Sequence, residues 1–311
     1  MRMALRSKSL RLLVGLMLGL TPLVPSGLSA ENQGQDEGGQ APSHEQVVAL
    51  ADRAIALQHG DDEAGQYFER IERRISRSSA TNGKILEEKV YRTVPTGTGT
   101  LNLLLRDRGQ GVDQAEYRRE LQAWKATLEQ ALRPNDAGYK AAYARFVKKN
   151  KDRADIVDAT RQAYLATWLG RETWAGRTYI KLRLDPNPAY HATKLTTEFL
   201  AHARATIWID EKSGHLARGE ADIIRDMSIG GGILGKIYHG GHFEIVQEEV
   251  EDGVWLPVRY QYDFSGRKFL FAFEQHTSTE ISRYHRIGAP REAIAVAQRD
   301  LASGQVPAGD P

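Results

Sequence analysis

Two hydrophobic periods take turns along this chain, one near 3.6 residues and one of two, and their order predicts the architecture. From Ser43, the segment HEQVVALADRAIALQ places Val47, Leu50, Ala51, Ala54 and Leu57 on one helical stripe. Ser43 and Gln46 fit an N-cap and its reciprocal partner, so a helix over 43–58 is expected to pack across a sheet. Residues 67–76, 84–94 and 98–107 are strand-like, separated by Asn82-Gly83 and by Gly97 to Gly99. Successive antiparallel hairpins follow from that spacing, although FERIERRI in the first stretch also fits a short helix.

The helical period then returns over 113–169. Asp113 and Glu116 resemble a capping box, followed by Leu121, Trp124, Leu128 and Leu132 at helical spacing. After Arg133-Pro134-Asn135, Tyr139, Tyr143 and Phe146 predict a second helix. Val157, Arg161, Tyr164, Leu165 and Trp168 predict a third, ending near Gly170. The segment reads as a helical insertion within a β protein.

From Trp174 the period is two again. Ile180, Leu182 and Leu184 alternate with polar positions up to Asp185-Pro186-Asn187-Pro188, and Ala203, Ala205, Ile207 and Ile209 do so before a turn at Glu211 to Gly214. Leu256, Val258, Tyr260, Tyr262 and Phe264 form another such series, with Phe269, Phe271 and Phe273 after an expected turn at Ser265-Gly266. These are half-buried antiparallel strands, unlike the continuous apolar strands of a doubly wound sheet. Past Pro290 a short Ala-rich stretch gives way to Gly304, Pro307, Gly309 and Pro311, so 290–311 is expected to be a disordered tail.

Charge and composition change the picture mainly at the N-terminus. Residues 1–30 hold Arg2, Arg6, Lys8 and Arg11 and no acid, then an apolar run from Leu10 to Leu20, Pro22 and Pro25, and small residues at Ser29 and Ala30. This is the layout of a signal peptide cleaved after Ala30, and the run is short of the roughly 20 residues of a spanning helix. Without those four cations the net charge of +2 becomes 38 basic against 40 acidic residues, too even for a domain that coats nucleic acid. No nucleic-acid partner is expected. The chain has no cysteine, which removes disulfides, thiol catalysis and a lipid-carrying cysteine at the cleavage site. A soluble periplasmic monomer is expected, extracellular if the source lacks an outer membrane. Its parts are a flexible linker over 31–42, a helix and first hairpins over 43–112, the insertion over 113–169 and a main meander over 170–289.

Motifs with catalytic or cofactor chemistry are weak. Gly230, Gly232 and Gly235 satisfy G-x-G-x-x-G, but a dinucleotide fingerprint must lie between a parallel strand and a helix, and a strand is expected next. His239, His242 and Glu244 offer metal-ligand types without a spacing that brings all three to one face. Carboxylate pairs such as Glu248-Glu249 lie beside turns, and Ser228 has no identifiable base. No cofactor, metal or catalytic residue is nominated. The basic cluster Lys148, Lys149, Lys151 and Arg153, interrupted by Asp152, reads as a solvated helix junction.

The large apolar residues carry more. Trp174, Tyr179, Trp208, Phe243, Trp255, Tyr260, Tyr262, Phe269 and Phe271 recur along the predicted sheet. They pack either as an ordinary core or as the lining of a concave face that holds an acyl chain; periodicity is the same in both cases.

The strings LDPNPAY at 184–190, ATIWID at 205–210, IIRDMSIGGGILGKIYHGGHFEI at 223–245 and DGVWLPVRYQYDFSGRKFLF at 252–271 extend a further resemblance. Over about 170–287 the chain resembles exported bacterial proteins described as outer-membrane lipoprotein-sorting-like. That resemblance implies an α+β fold, the half-barrel of lipoprotein carriers and receptors: a curved antiparallel sheet around an apolar cavity, covered by helices. It implies no functional residue. The expected function is non-enzymatic binding of a lipid, a lipoprotein acyl chain or another apolar envelope ligand. A structural or regulatory module for an envelope protein is the alternative, and an envelope hydrolase is disfavoured.

Overall fold

The computed structural model describes residues 41–229, 235–269 and 271–309. The expected leader 1–30, nearly all of the linker 31–42 and two glycines of the G-x-G-x-x-G string lie outside them. The fold is α+β, built on one open antiparallel sheet in which β9 and β10 are side branches of the main path. Four strands come first: β1 (Phe68–Arg77), β2 (Ile85–Pro95), β3 (Thr100–Asp107) and the short β4 (Gln110–Gly111). After two long helices follow β5 (Tyr164–Trp174), β6 (Arg177–Pro186), β7 (Ala203–Asp210), β8 (Leu216–Ile223), β9 (Met227–Ile229), β10 (Gly235–Ile237), β11 (His242–Glu251), β12 (Val254–Lys268) and β13 (Phe271–Arg286). The spatial order is β4-β3-β2-β1-β13-β12-β11-β8-β7-β6-β5. The last strand therefore pairs with the first, from Phe68 opposite Arg286 to Arg77 opposite His276, and joins the two β portions into one sheet.

Among the described residues five α-helices accompany it: α1 (His44–Ala64), α2 (Gln114–Ala131), α3 (Ala137–Ala163), α4 (Leu195–Glu198) and α5 (Pro290–Ser303). The capping box expected at Ser43 and Gln46 is present and starts α1. Asp113 caps α2 through the N–H groups of Ala115 and Glu116, and Asp136 caps α3 through that of Tyr139. None of these helices is long and apolar enough to cross a membrane, among the described residues.

The registers assign the faces. Lys181, Trp208, Arg218, Val246, Arg259, Glu280, Arg73 and Val90 are successive partners across the sheet, so their side chains share what we call the back face. On β1 to β3 this face is apolar, and α2 and α5 pack on it. Tyr117, Leu121, Trp124 and Leu128 of α2 meet Val90, Val94, Leu103 and Leu105, with Ala293 and Ala297 of α5 alongside. Arg92 ties the layers together, bonding Glu69 on β1, Tyr117 on α2 and Asp300 on α5 while stacking over Trp124. Farther along, the back face is a ribbon of cross-strand ion pairs, Glu88-Arg73-Glu280 and then Arg259-Glu244-Arg218-Glu220.

The front face is the mirror of this. Ile180, Leu182, Ile207 and Ile209 point there and receive Val47, Leu50 and Ala54 of α1. The helix α3 also crosses the front, and it is packed differently from α2. All four stripe residues of α2 are at most 1% exposed, whereas the 27 residues of α3 include one buried side chain, Ala163 at the last position. A helix that long holding its inward face only half-buried is standing off the sheet.

Three expectations are corrected. The third helix over Val157–Trp168 does not form: α3 continues to Ala163, and Tyr164, Leu165 and Trp168 belong to β5, paired with β6. Their spacing satisfies both periods, and aromatic and β-branched residues at an available sheet edge favour the strand. The tail is no disordered segment: Pro290 starts α5, the Glu292 carboxylate accepts from the Ala289 N–H, and Gly304 closes the helix at φ 65°. Its Ala-rich stretch is what allows close approach to α2. Finally, no turn occurs at Ser265-Gly266. The strand β12 runs on to Lys268 because Gly266 admits a close backbone approach, a Cβ there meeting the Lys236 carbonyl at 2.3 Å. Phe269, expected within a strand, instead sits in the β12–β13 turn at φ 53°.

The contrast between the two long helices is measurable. Leu121→Ala is expected to cost about 3 kcal/mol by leaving a cavity in a close-packed layer. Val157→Ala on α3 should cost less than about 1 kcal/mol, because there is little packing to lose. Equilibrium urea unfolding of both variants checks this, and equal losses would mean that α3 is as tightly packed as α2.

Candidate functional site

Where α3 stands off the front face, a half-open cavity of about 740 Å³ remains, within the roughly 300–1,000 Å³ of small-molecule sites. Its walls come from three places. Helix α1 contributes Val48, Ala51 and Ile55, one position round from the stripe that packs on the sheet, so this helix is apolar on two adjoining faces. The last turns of α3 contribute Ile156, Val157 and Thr160, and the sheet contributes Tyr164 to Ala166, Leu184, Ile207 and Leu216. Asn187, Tyr190 and His191, after β6, border it as well. Asn187 is held by its amide, which donates to the Gln162 carbonyl, and its N–H donates to that of Ala163. Burial pushes the phenol of Tyr164 well up, so it stays a neutral donor.

The wall carries polar groups at both ends, the Asp52–Arg161 ion pair with His44 at one and Gln58 at the other. Gln58, the last α1 residue on the wall, donates to Asp62 at 2.9 Å and accepts from Gln247 at 3.1 Å. Asp62 in turn takes both Nε and Nη2 of Arg153 on α3. This ion pair fastens α3 to α1, as do those of Arg161 with Asp52 and His59 with Asp158.

None of the nine aromatic positions expected to line a cavity borders this one. Tyr179, Trp208 and Trp255 form a separate buried cluster with Ala217; Trp174 stacks on Tyr179 at 3.5 Å, and Lys181 and Arg218 cover Trp208. Tyr179 and Trp208 project from the back face, the opposite side of the sheet. Phe243 and Tyr262 face front but pack with Ala203, Ile223 and Phe264. Tyr260, also on the front, is 1% exposed beneath α3. Phe269 and Phe271 stand in solvent at the hairpin, 48% and 78% exposed. The residues that do line the cavity were missed. The adjacent apolar pairs Val47-Val48, Leu50-Ala51 and Ala54-Ile55, one for each stripe of α1, were the signal available.

A second arrangement had no sequence signal at all. Asp61 at the end of α1 is 4% exposed, accepts from the Trp255 N–H at 2.9 Å and lies 3.7 Å from Nε2 of His215. His215 stacks on Trp255. Burial pushes Asp61 up to about 6, against the opposing Trp255 hydrogen bond, and burial pushes His215 down. The histidines expected as weak metal candidates go to separate carboxylates, His239 to Asp226 and His242 to Asp222, each at 2.8 Å. No group of three or more metal-ligating side chains converges among the described residues.

No protein-family model and no curated protein matches the chain. Solved structures do. One is a domain assigned to the outer membrane lipoprotein-sorting proteins, from Vibrio parahaemolyticus, at 10% identity and a TM-score of 0.32, covering 76% of this chain and 92% of that one. A DUF1329 family protein from Desulfovibrio piger matches at 13% identity and 0.31, covering 77% and 92%. A LolA superfamily protein from Nitrosomonas europaea matches at 9% and 0.29, covering 80% and 96%.

The pH dependence of stability should report Asp61. The folded state keeps its proton up to about pH 6, the unfolded chain releases it near 3.8, so this group favours folding most below about pH 4 and loses that contribution as pH rises through 6. Asp61→Asn should therefore raise stability at pH 8 by about 1–3 kcal/mol and change little at pH 4. Urea unfolding at both pH values checks it; destabilisation at pH 8 would show that the carboxylate is needed as an ion.

Proposed function

We propose that this protein binds an apolar or amphipathic envelope ligand, a lipid or an acyl chain, noncovalently in the cavity between α1, α3 and strands β5 to β7. The observation that carries this reading is the half-buried inward face of α3. Ile156 and Val157 leave apolar surface facing a space that the fold itself does not fill, and a ligand chain entering it removes that surface from water. The role is binding, not catalysis, and the setting is the periplasm after removal of the leader, with an acylated protein as one source of the chain.

Native mass spectrometry tests it on full-length protein exported and purified from the periplasm without detergent. A stoichiometric lipid or acylated species is expected. Ala51→Trp, which fills the wall from α1, should reduce its occupancy at least tenfold while circular dichroism stays unchanged. A clean apo mass, together with no thermal shift on adding envelope lipid extract, would overturn the reading. In that case the exposed Tyr143 and Val147 on the outer side of α3 would be the place to look for a protein partner.

A further inference from the structure

The chemistry under the middle of α3 is cationic. Arg70, Glu72 and Arg74 alternate with Ile71 and Arg73 along β1, so all three project to the front face. Glu72 bonds both arginines, and Arg74 also stacks over Tyr91 at 4.5 Å. From the helix side, Arg153 is committed to Asp62. Lys149, one turn before Arg153 on the same stripe, has neither hydrogen bond nor ion pair to any described residue, and Arg70 and Arg153 both act on it electrostatically. Four cations thus share two carboxylates.

Lys149 also lies in an unusual position for a free lysine. Its side chain is open to water, yet burial and then the repulsion of Arg153 and Arg70 lower its pKa. Arg153 and Ile156, on the same stripe of α3, reach Asp62 and the cavity wall, so Lys149 projects from the side of the helix that faces the sheet. An independent observation points the same way. The hydroxyl of Tyr260, on a side chain 1% exposed, has no hydrogen-bond partner among the described residues, and it lies within electrostatic reach of Arg70 and Arg153. A buried donor without an acceptor beside an excess of positive charge is a place where an anion is missing.

The cavity wall ends at Ile156 on α3 and Gln58 on α1, one turn short of Arg153 and Asp62. The stripe Thr160, Ile156, Arg153, Lys149 runs along α3 from apolar wall to free cation, about 16 Å at 1.5 Å per residue. Gln58 and Asp62 follow the same course on α1. Resting on the cavity as a ligand site, we propose that Lys149, with Arg153, Arg70 and the Tyr260 hydroxyl, receives the anionic head of a single amphiphile whose acyl chain occupies the cavity. The head is a carboxylate or a phosphate ester. A free fatty acid or an acidic lipid fits this chemistry.

Isothermal titration of delipidated full-length protein separates the possibilities. The probes are oleate, oleoyl lysophosphatidate, oleyl alcohol and inorganic phosphate. Oleate or the lysophosphatidate is expected to bind at least tenfold more tightly than the alcohol, and whichever binds tighter identifies the head. Lys149→Met, which keeps the stem and removes the charge, should abolish that preference while leaving alcohol binding within twofold. Its thermal midpoint should equal or exceed that of the parent, because an unpaired cation is removed. Equal affinity for acid and alcohol in the parent would overturn the head site and leave the cavity reading standing. Phosphate binding as tightly as the lysophosphatidate would overturn the amphiphile in favour of a free anion. Binding of neither oleate nor oleyl alcohol would defeat the underlying cavity reading.

Discussion

The pairing of the first strand with the last governs this structure. Because β1 and β13 are neighbours, two meanders separated by helices of 18 and 27 residues become one sheet, and their free ends become its two opposite edges, β4 and β5. The chain must then travel from one edge to the other. Ten strand spacings of about 4.8 Å make roughly 48 Å along the sheet, and a helix of 27 residues reaches about 40 Å. Helix α3 makes most of that crossing over the front face, and the cavity lies under its last turns, where the chain approaches the edge strand β5.

The other face obeys a different logic. There α2 and α5 lie along only β1 to β3, a region short enough for close contact, and aromatic and aliphatic residues fill it completely. Arg92 would be a costly buried cation without its partners. With Glu69, Asp300 and Tyr117 around it, it fixes the angle at which both helices sit. One half of the sheet is therefore consolidated from behind, which leaves its front free of any structural duty. That freedom is what allows charges to project into the concavity.

Much of this was legible in the chain, and the failures have identifiable causes. Alternation located the strands of the meander, and the capping residues Ser43 and Asp113 located two helix starts, because both signals are local. The limit of α3 was not legible: Tyr164 and Trp168 continue a helical stripe, and only the vacant edge of β6 makes them a strand. The same holds for α5, whose small residues look uncommitted until α2 lies against them. The nine aromatics were sought as a lining because size was the only property visible. Which face each ring takes depends on register, and register places Trp208 behind the sheet and Tyr260 in front of it. The cavity is lined instead by aliphatic residues such as Ala51, Val157 and Leu184, with Tyr164 and Tyr190 beside them.

The ambiguity of FERIERRI has the same origin. On β6 and β7 the apolar positions face front, towards α1, whereas on β1 Ile71 faces back, towards α2, and Arg70, Glu72 and Arg74 face front. The sheet exchanges its polar and apolar faces between its two halves. An ordinary half-barrel with one covered face would have no use for charges on the concave side, since each would need a partner from the covering helix. Here α3 supplies Arg153 and Lys149 above them, adding cations and not the acids that neutrality would require. The front of the molecule is consequently graded, apolar beside β5 to β7 and positive beside β1. Helix α3 spans both regions, and a molecule with one apolar and one acidic end matches that gradient along its length.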